Sequence, residues 1–164
     1  METRIELKQG WKILQDVHDT GEKIGLYAAR EADTSVSSQV SEWEELEELK
    51  HLQLIYARQP YFGRELRYFN QAPWWYKTEF EVPDQKVTDA VLKFTNVDYY
   101  GKVWLNGEFL GEHEGYSAPF SFNVKDKLVF GKKNYLIVKV SSPWDDEVEL
   151  DAQDSRTTLV KRNM

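Results

Sequence analysis

The sequence contains no cysteine, so neither a disulfide framework nor a thiolate zinc site is open to it. Its three histidines, His18, His51 and His113, lie far apart in the chain and have no second ligand at metal spacing. No metal or other cofactor is therefore expected. Positive charge is scarce: 21 lysines and arginines stand against 28 aspartates and glutamates, a formal net charge of −7. Nucleic acid is excluded as a partner on that ground, because phosphate binding draws on clustered cations that release counterions. Long apolar runs are missing as well. No segment approaches the ~20 apolar residues that cross a bilayer, and the N-terminus, METRIELKQGWKILQDV, lacks the apolar core of a secretory signal. A cytoplasmic location without a membrane partner is the expectation.

What is present is aromatic: Trp, Tyr and Phe make up 14% of the 164 residues, and charged residues 30%. That length suits one domain with a full core and is too short for two ordinary ones. The clearest local signal is Asn106-Gly107, the pair best suited to a type I′ turn in which both central residues need positive φ. Lys102–Leu105 and Glu108–Leu110 flank it with strand composition. Beyond the hairpin, Gly111, His113 and Gly115 punctuate a corner at which His113 is expected to satisfy backbone groups. Pro119 then leads into Phe120-Ser121-Phe122-Asn123-Val124, which alternates at period two.

Other strands read off the same way. Trp11–Leu14 is a first strand and Leu26–Ala28 a short second one. Tyr76, Thr78, Phe80 and Val82 alternate with charged residues up to Pro83, Ala90–Thr95 alternates again, and Tyr135–Val140 is nearly continuous apolar sequence. Between Glu31 and Lys50 the pattern changes. Ser41 with Glu44 fits a capping box, and Trp43, Leu46 and Leu49 recur at a spacing of three, which predicts one short amphipathic helix with solvated glutamates. Some eight or nine short strands with one helix define an all-β protein, an antiparallel β-sandwich with jelly-roll topology.

Several of these stretches, in order, carry a resemblance. Tyr61-Phe62-Gly63 precedes Trp75-Tyr76-Lys77…Phe80…Val82-Pro83. Then come Val103-Trp104-Leu105-Asn106-Gly107, Gly111-Glu112-His113-Glu114-Gly115 and Pro119-Phe120. The series resembles the N-terminal sugar-binding, galactose-binding-like domain of glycoside hydrolase family 2, which holds β-galactosidases, β-glucuronidases and β-mannosidases. The resemblance implies a non-catalytic sandwich over residues 1–150. It also implies that 151–164 is a truncated linker toward an immunoglobulin-like domain and a (β/α)₈ barrel. Retaining hydrolysis uses two carboxyl groups ~5–5.5 Å apart; in this family they stand on the barrel, so no catalytic residue is assigned here and the piece alone is expected to be inactive.

Sugars stack their apolar faces on aromatics while their hydroxyls pair with carboxylates, so an aromatic beside an acid is the pattern to seek. Trp144-Asp145, after Pro143, has it. By resemblance to mannosidase-like members, Asp145 accepts hydrogen bonds from sugar hydroxyls and Trp144 shapes the pocket wall. The plainer reading makes Trp144 a cover for the sandwich edge and Asp145 a solvated turn residue. Trp74, Trp75 and Tyr61 are weaker sugar-contact candidates. Adjacent residues of a strand face opposite sides, so only one of Trp74 and Trp75, and one of Tyr61 and Phe62, is expected to pack in a core. Trp104 reads as structural. The acidic series Asp145, Asp146, Glu147, Glu149, Asp151 and Asp154 lacks the glycine-turned loop of a calcium site and reads as linker.

The partners expected are carbohydrate, the remaining domains of the same protein and, optionally, further subunits. Two other functions stay open, a stand-alone carbohydrate-binding module and a purely structural sandwich.

Overall fold

The structure, a computed structural model, describes residues 2–28, 43–49, 72–115 and 118–142. Among them are eight strands: β1 (Trp11–Gln15), β2 (Glu44–Leu46), β3 (Trp74–Glu81), β4 (Val91–Phe94), β5 (Tyr100–Leu105), β6 (Glu108–Glu114), β7 (Phe120–Asn123) and β8 (Lys133–Ser141). Every pairing is antiparallel. Six strands form one sheet in the order β2-β1-β3-β8-β5-β6, and β4 pairs with β7 in a second.

The Asn-Gly hairpin forms as its sequence dictates. Asn106 and Gly107 take φ values of 52° and 83°, the two positive values of a I′ turn. Asn106 also ties the hairpin to its neighbours. Its Oδ1 accepts from the Tyr135 N–H at 2.9 Å, and its Nδ2 donates to Lys127 O at 3.0 Å and Asn134 Oδ1 at 2.9 Å. Gly111 has a different task. A Cβ there would lie 2.7 Å from the Phe122 ring, so only glycine lets β6 come this close to β7.

The large sheet is apolar on both faces. On the inner face Ile13, Trp74, Val103, Leu105, Leu136 and Val138 meet the second sheet, whose Phe94, Phe120 and Phe122 pack against them. On the outer face Leu14, Trp75, Trp104 and Ile137 are covered by Leu26, Ile24 and Tyr27 from the loop that follows β1. The expectation that only one of Trp74 and Trp75 is buried is therefore corrected. Alternation sends them to opposite faces as predicted, but the chain covers both, leaving Trp74 at 8% and Trp75 at 0% exposure.

Two local expectations are corrected as well. The predicted helix over 41–49 gives way, in the residues described, to β2, which pairs Trp11 with Leu46 and Ile13 with Glu44. An odd spacing puts Trp43 and Leu46 on opposite sides of an extended chain. Leu46 enters the inner core while Trp43 joins the outer cluster. Pairing along β1 and burial on two faces outweigh a weak local helix preference. Leu26–Ala28 is a 3₁₀ turn rather than a strand. The N–H groups of Leu26 and Ala28 bond back to Gly21 O and Gly25 O at 2.9 and 3.0 Å, which folds the loop onto the sheet and buries Leu26.

Between the N-terminal segment and the edge of β4 the layers part around a groove of about 1840 Å³, floored by Trp11, Trp74, Tyr76, Leu136 and Val138.

Candidate functional site

Among the described residues, two places combine aromatic rings with carboxylates. The first is on the outer face of the large sheet and centres on Asp16, which is 2% exposed. Its Oδ2 accepts from the Trp75 indole N–H at 3.0 Å and the Gly21 N–H at 2.8 Å, and its Oδ1 accepts from the Thr20 N–H at 3.0 Å. Three N–H donors thus serve one buried carboxylate, the arrangement that makes a charge tolerable away from water. Gly21 is obligatory here, because a Cβ would lie 2.7 Å from both Asp16 Oδ2 and the Trp75 ring. Trp75 stacks on Trp104 at 5.3 Å, and Trp104 stacks on Tyr27 at 5.4 Å.

A charged cluster borders this stack. Lys139 lies in the apolar run of β8, 8% exposed, and its ammonium donates to Asp19 Oδ1 and Glu22 Oε2, each at 2.9 Å. Lys102 on β5 reaches Glu22 Oε1 at 3.0 Å. Burial by itself raises the Glu22 carboxyl, but the hydrogen bonds and charges of Lys139 and Lys102 outweigh it and hold the group below its ordinary value of 4.5. Lys139 mirrors this: burial lowers it, Asp19 and Glu22 outweigh burial, and the ammonium is held above 10.5. A glycosidase general acid needs the opposite, a carboxyl raised toward neutrality, so Glu22 is a structural anion rather than a proton donor.

The lowered Glu22 group stabilises the fold above its unfolded value near 4.5, and that contribution disappears as pH falls through the folded value. Glu22→Gln is expected to cost up to about 1 kcal/mol at neutral pH, a half-exposed pair being worth no more. Thermal melts of variant and parent should converge in acid, once Glu22 is protonated in both folded and unfolded chains. The Lys139 contribution rests on the same ionised Asp19 and Glu22, and on the alkaline side it is lost as pH rises through the folded value, above 10.5.

The second place is the end of the sandwich from which β8 departs. Ser141 pairs with Tyr100, the Tyr99 N–H donates to Ser141 O at 3.2 Å, and the Gly115 N–H donates to Tyr99 O at 3.0 Å. The last residue of β8 is thereby fastened to β5, and through Tyr99 to the residue that follows β6. The Tyr99 hydroxyl donates to Glu114 Oε1 at 3.0 Å, and the Tyr99 and Tyr100 rings meet at 4.7 Å and 84°. His113 stacks on Phe120 at 4.2 Å and 13°, and its buried Nε2 makes no hydrogen bond among the described residues.

Of the residues singled out from sequence, Trp74 lies in the inner core, on the floor of the groove, and Trp75 in the outer core, at 8% and 0% exposure. Trp144, Asp145 and Tyr61 fall outside the described residues. Sequence reasoning missed Asp16, Glu22 and Lys139. A lysine inside Tyr135-Leu136-Ile137-Val138-Lys139-Val140 was the available signal, since a lysine in a buried strand requires an anion nearby.

Comparison with known proteins agrees with this architecture. Residues 29–163 match the family model described as the glycosyl hydrolase 2 galactose-binding domain-like domain. A β-galactosidase of Thermoanaerobacter pseudethanolicus is 36% identical over 70 residues, covering 42% of this chain and 9% of that protein. A β-glucuronidase of Formosa agariphila is 33% identical over 73 residues, covering 44% of this chain and 7% of that protein. The solved β-glucuronidase of Ruminococcus gnavus in complex with uronic isofagomine superposes with a TM-score of 0.66 at 19% identity, over 86% of this chain and 22% of that one. At that identity the likeness concerns the fold. The chain thus spans less than a tenth of these two sequence relatives and under a quarter of the solved structure. With most of its length matched and its sandwich shared, the chain belongs to the galactose-binding domain-like family of glycosyl hydrolase 2.

Proposed function

We propose that this chain is the N-terminal, non-catalytic domain of a retaining exo-acting β-glycosidase and that it completes the sugar pocket of the whole enzyme. The observation that carries this reading is the family match over residues 29–163 together with relatives named β-galactosidase and β-glucuronidase, of which the chain spans only a small part. Hydrolysis then proceeds by double displacement on two carboxyl groups of another domain. This chain's contribution is positional. Residues 143–145 follow β8 in sequence, and Asp145 accepts hydrogen bonds from hydroxyls of the terminal sugar beside the Trp144 ring.

In the complete hydrolase, Asp145→Ala is expected to lower kcat/KM for a terminal β-glycoside by roughly 10- to 100-fold, the worth of one charge-assisted hydrogen bond of about 1.5–3 kcal/mol. Trp144→Ala should follow with a smaller loss. Residues 1–164 alone should show no turnover. Unchanged kinetics for Asp145→Ala, or hydrolysis by the isolated chain, would each defeat the reading.

A further inference from the structure

The corner made by Tyr99 and Tyr100 fastens the end of β8 through its backbone, and its side chains have the geometry of a small carbohydrate platform. Tyr100 begins β5 and is 40% exposed. Strand alternation puts it on the outer face of the large sheet, the face that carries Lys102 two residues on. Tyr99 meets it edge-on at 4.7 Å and 84°, so the two rings form a floor and a wall. The wall is fixed, because the Tyr99 hydroxyl donates to Glu114 Oε1 at 3.0 Å. Glu114 stands directly opposite Tyr100 in the β5–β6 ladder, and Glu112 stands opposite Lys102 one step further along the same face. Glu114 is exposed and one of its oxygens serves Tyr99, which leaves the other for a ligand hydroxyl. Ser141, across from Tyr100 on β8, adds a hydroxyl on the opposite side.

We propose that this corner binds a neutral β-pyranoside directly, with its apolar C–H face on Tyr100, its edge against Tyr99 and a ring hydroxyl donated to Glu114. The rings supply a flat apolar surface already oriented, so little side-chain freedom is lost on binding. The carboxylates decide the charge of the ligand. Glu114 at the floor and Glu112 beside it accept hydrogen bonds from hydroxyls and repel a carboxylated sugar. A single ring face and one or two hydrogen bonds correspond to a dissociation constant of about millimolar.

The proposal concerns binding by this chain without turnover. It therefore stands or falls separately from the Asp145 kinetics.

The test is an NMR titration of the 164-residue chain with methyl β-D-glucopyranoside and, separately, methyl β-D-glucuronide. The neutral glycoside is expected to shift the Tyr99, Tyr100 and Glu114 amides with saturation in the millimolar range, and the glucuronide to bind at least about fivefold more weakly. Tyr100→Ala should weaken binding at least about tenfold, and Tyr100→Phe, which keeps the ring face, should bind like the parent. Glu114→Gln should weaken the neutral sugar several-fold and narrow the gap between the two ligands. Amide spectra of the variants away from the corner report whether the sandwich is intact. If Tyr100→Ala perturbs it, the Tyr100→Phe and Glu114→Gln pair decides. No shifts at the corner, tighter binding of the glucuronide, or parent-like affinity in both Tyr100→Ala and Glu114→Gln would overturn the proposal.

Discussion

Replacing Trp75 with alanine is expected to remove about 3–5 kcal/mol of stability, a large share of the ~5–15 kcal/mol that holds a domain of this size folded. Three losses combine. The side chain has 0% exposure, so its whole apolar surface enters a cavity term. Its stack on Trp104 at 5.3 Å disappears. Asp16 loses the indole N–H, one of its three donors. Trp75→Phe separates these effects, since it restores most of the volume but not the donor, and it should cost markedly less. Guanidinium unfolding followed by far-UV circular dichroism reads the difference in midpoint. A Trp75→Ala variant within about 1 kcal/mol of the parent would show that the outer layer contributes little, against the packing described above.

The second large effect is expected at Asp16. Alanine there strands the Trp75 indole N–H and the backbone N–H groups of Thr20 and Gly21, and each buried donor left unsatisfied costs about 1–3 kcal/mol. A loss of at least about 3 kcal/mol follows. Asn should be milder. With its carbonyl toward Trp75 and Gly21 it retains two of the three bonds, while its amide faces the Thr20 donor. Because Asp16 and Trp75 act through one hydrogen bond, Asp16→Ala and Trp75→Phe should be less than additive in a double-mutant cycle. Simple additivity would mean that the loop after β1 is held by something other than this pair.

How much of this could be read from sequence depended on how far apart the determinants lie. The I′ hairpin was legible because Asn106 and Gly107 state the turn between them. β3, β4 and β7 were legible because their period-two patterns are local, and β8 because its nearly continuous apolar run is. β2 and the 3₁₀ turn were not, since both are set by partners elsewhere: Leu46 by Trp11 on β1 and Leu26 by the loop's own return to the sheet. The Asp16–Trp75 bond spans 59 positions, and nothing near either residue announces the other. For the site, composition could point to aromatics beside acids, but Trp144 and Asp145 were given a role only through resemblance to a family. The Tyr99–Tyr100–Glu114 corner needed the β5–β6 register before its members could be seen as neighbours.

The doubly covered sheet has a consequence for how β3 finds its place. In a sheet with one wet face, a slip of one residue would expose the core set, and hydrophobicity alone forbids the error. Here the two sets of β3 side chains are Trp74, Tyr76, Thr78 and Phe80 on one side and Trp75, Lys77, Glu79 and Glu81 on the other, and both tryptophans at its start are buried. That first pair discriminates weakly between the right alignment and its neighbour, whereas further along a slip would carry Lys77, Glu79 and Glu81 into the inner core. Polar pegs that fit only one way add to the choice where the tryptophans leave it open: the Trp75 indole on Asp16, and the Thr78 hydroxyl on Gly10 O at 3.0 Å. Directional bonds at one end and alternating charges at the other thus agree on a single alignment of β3.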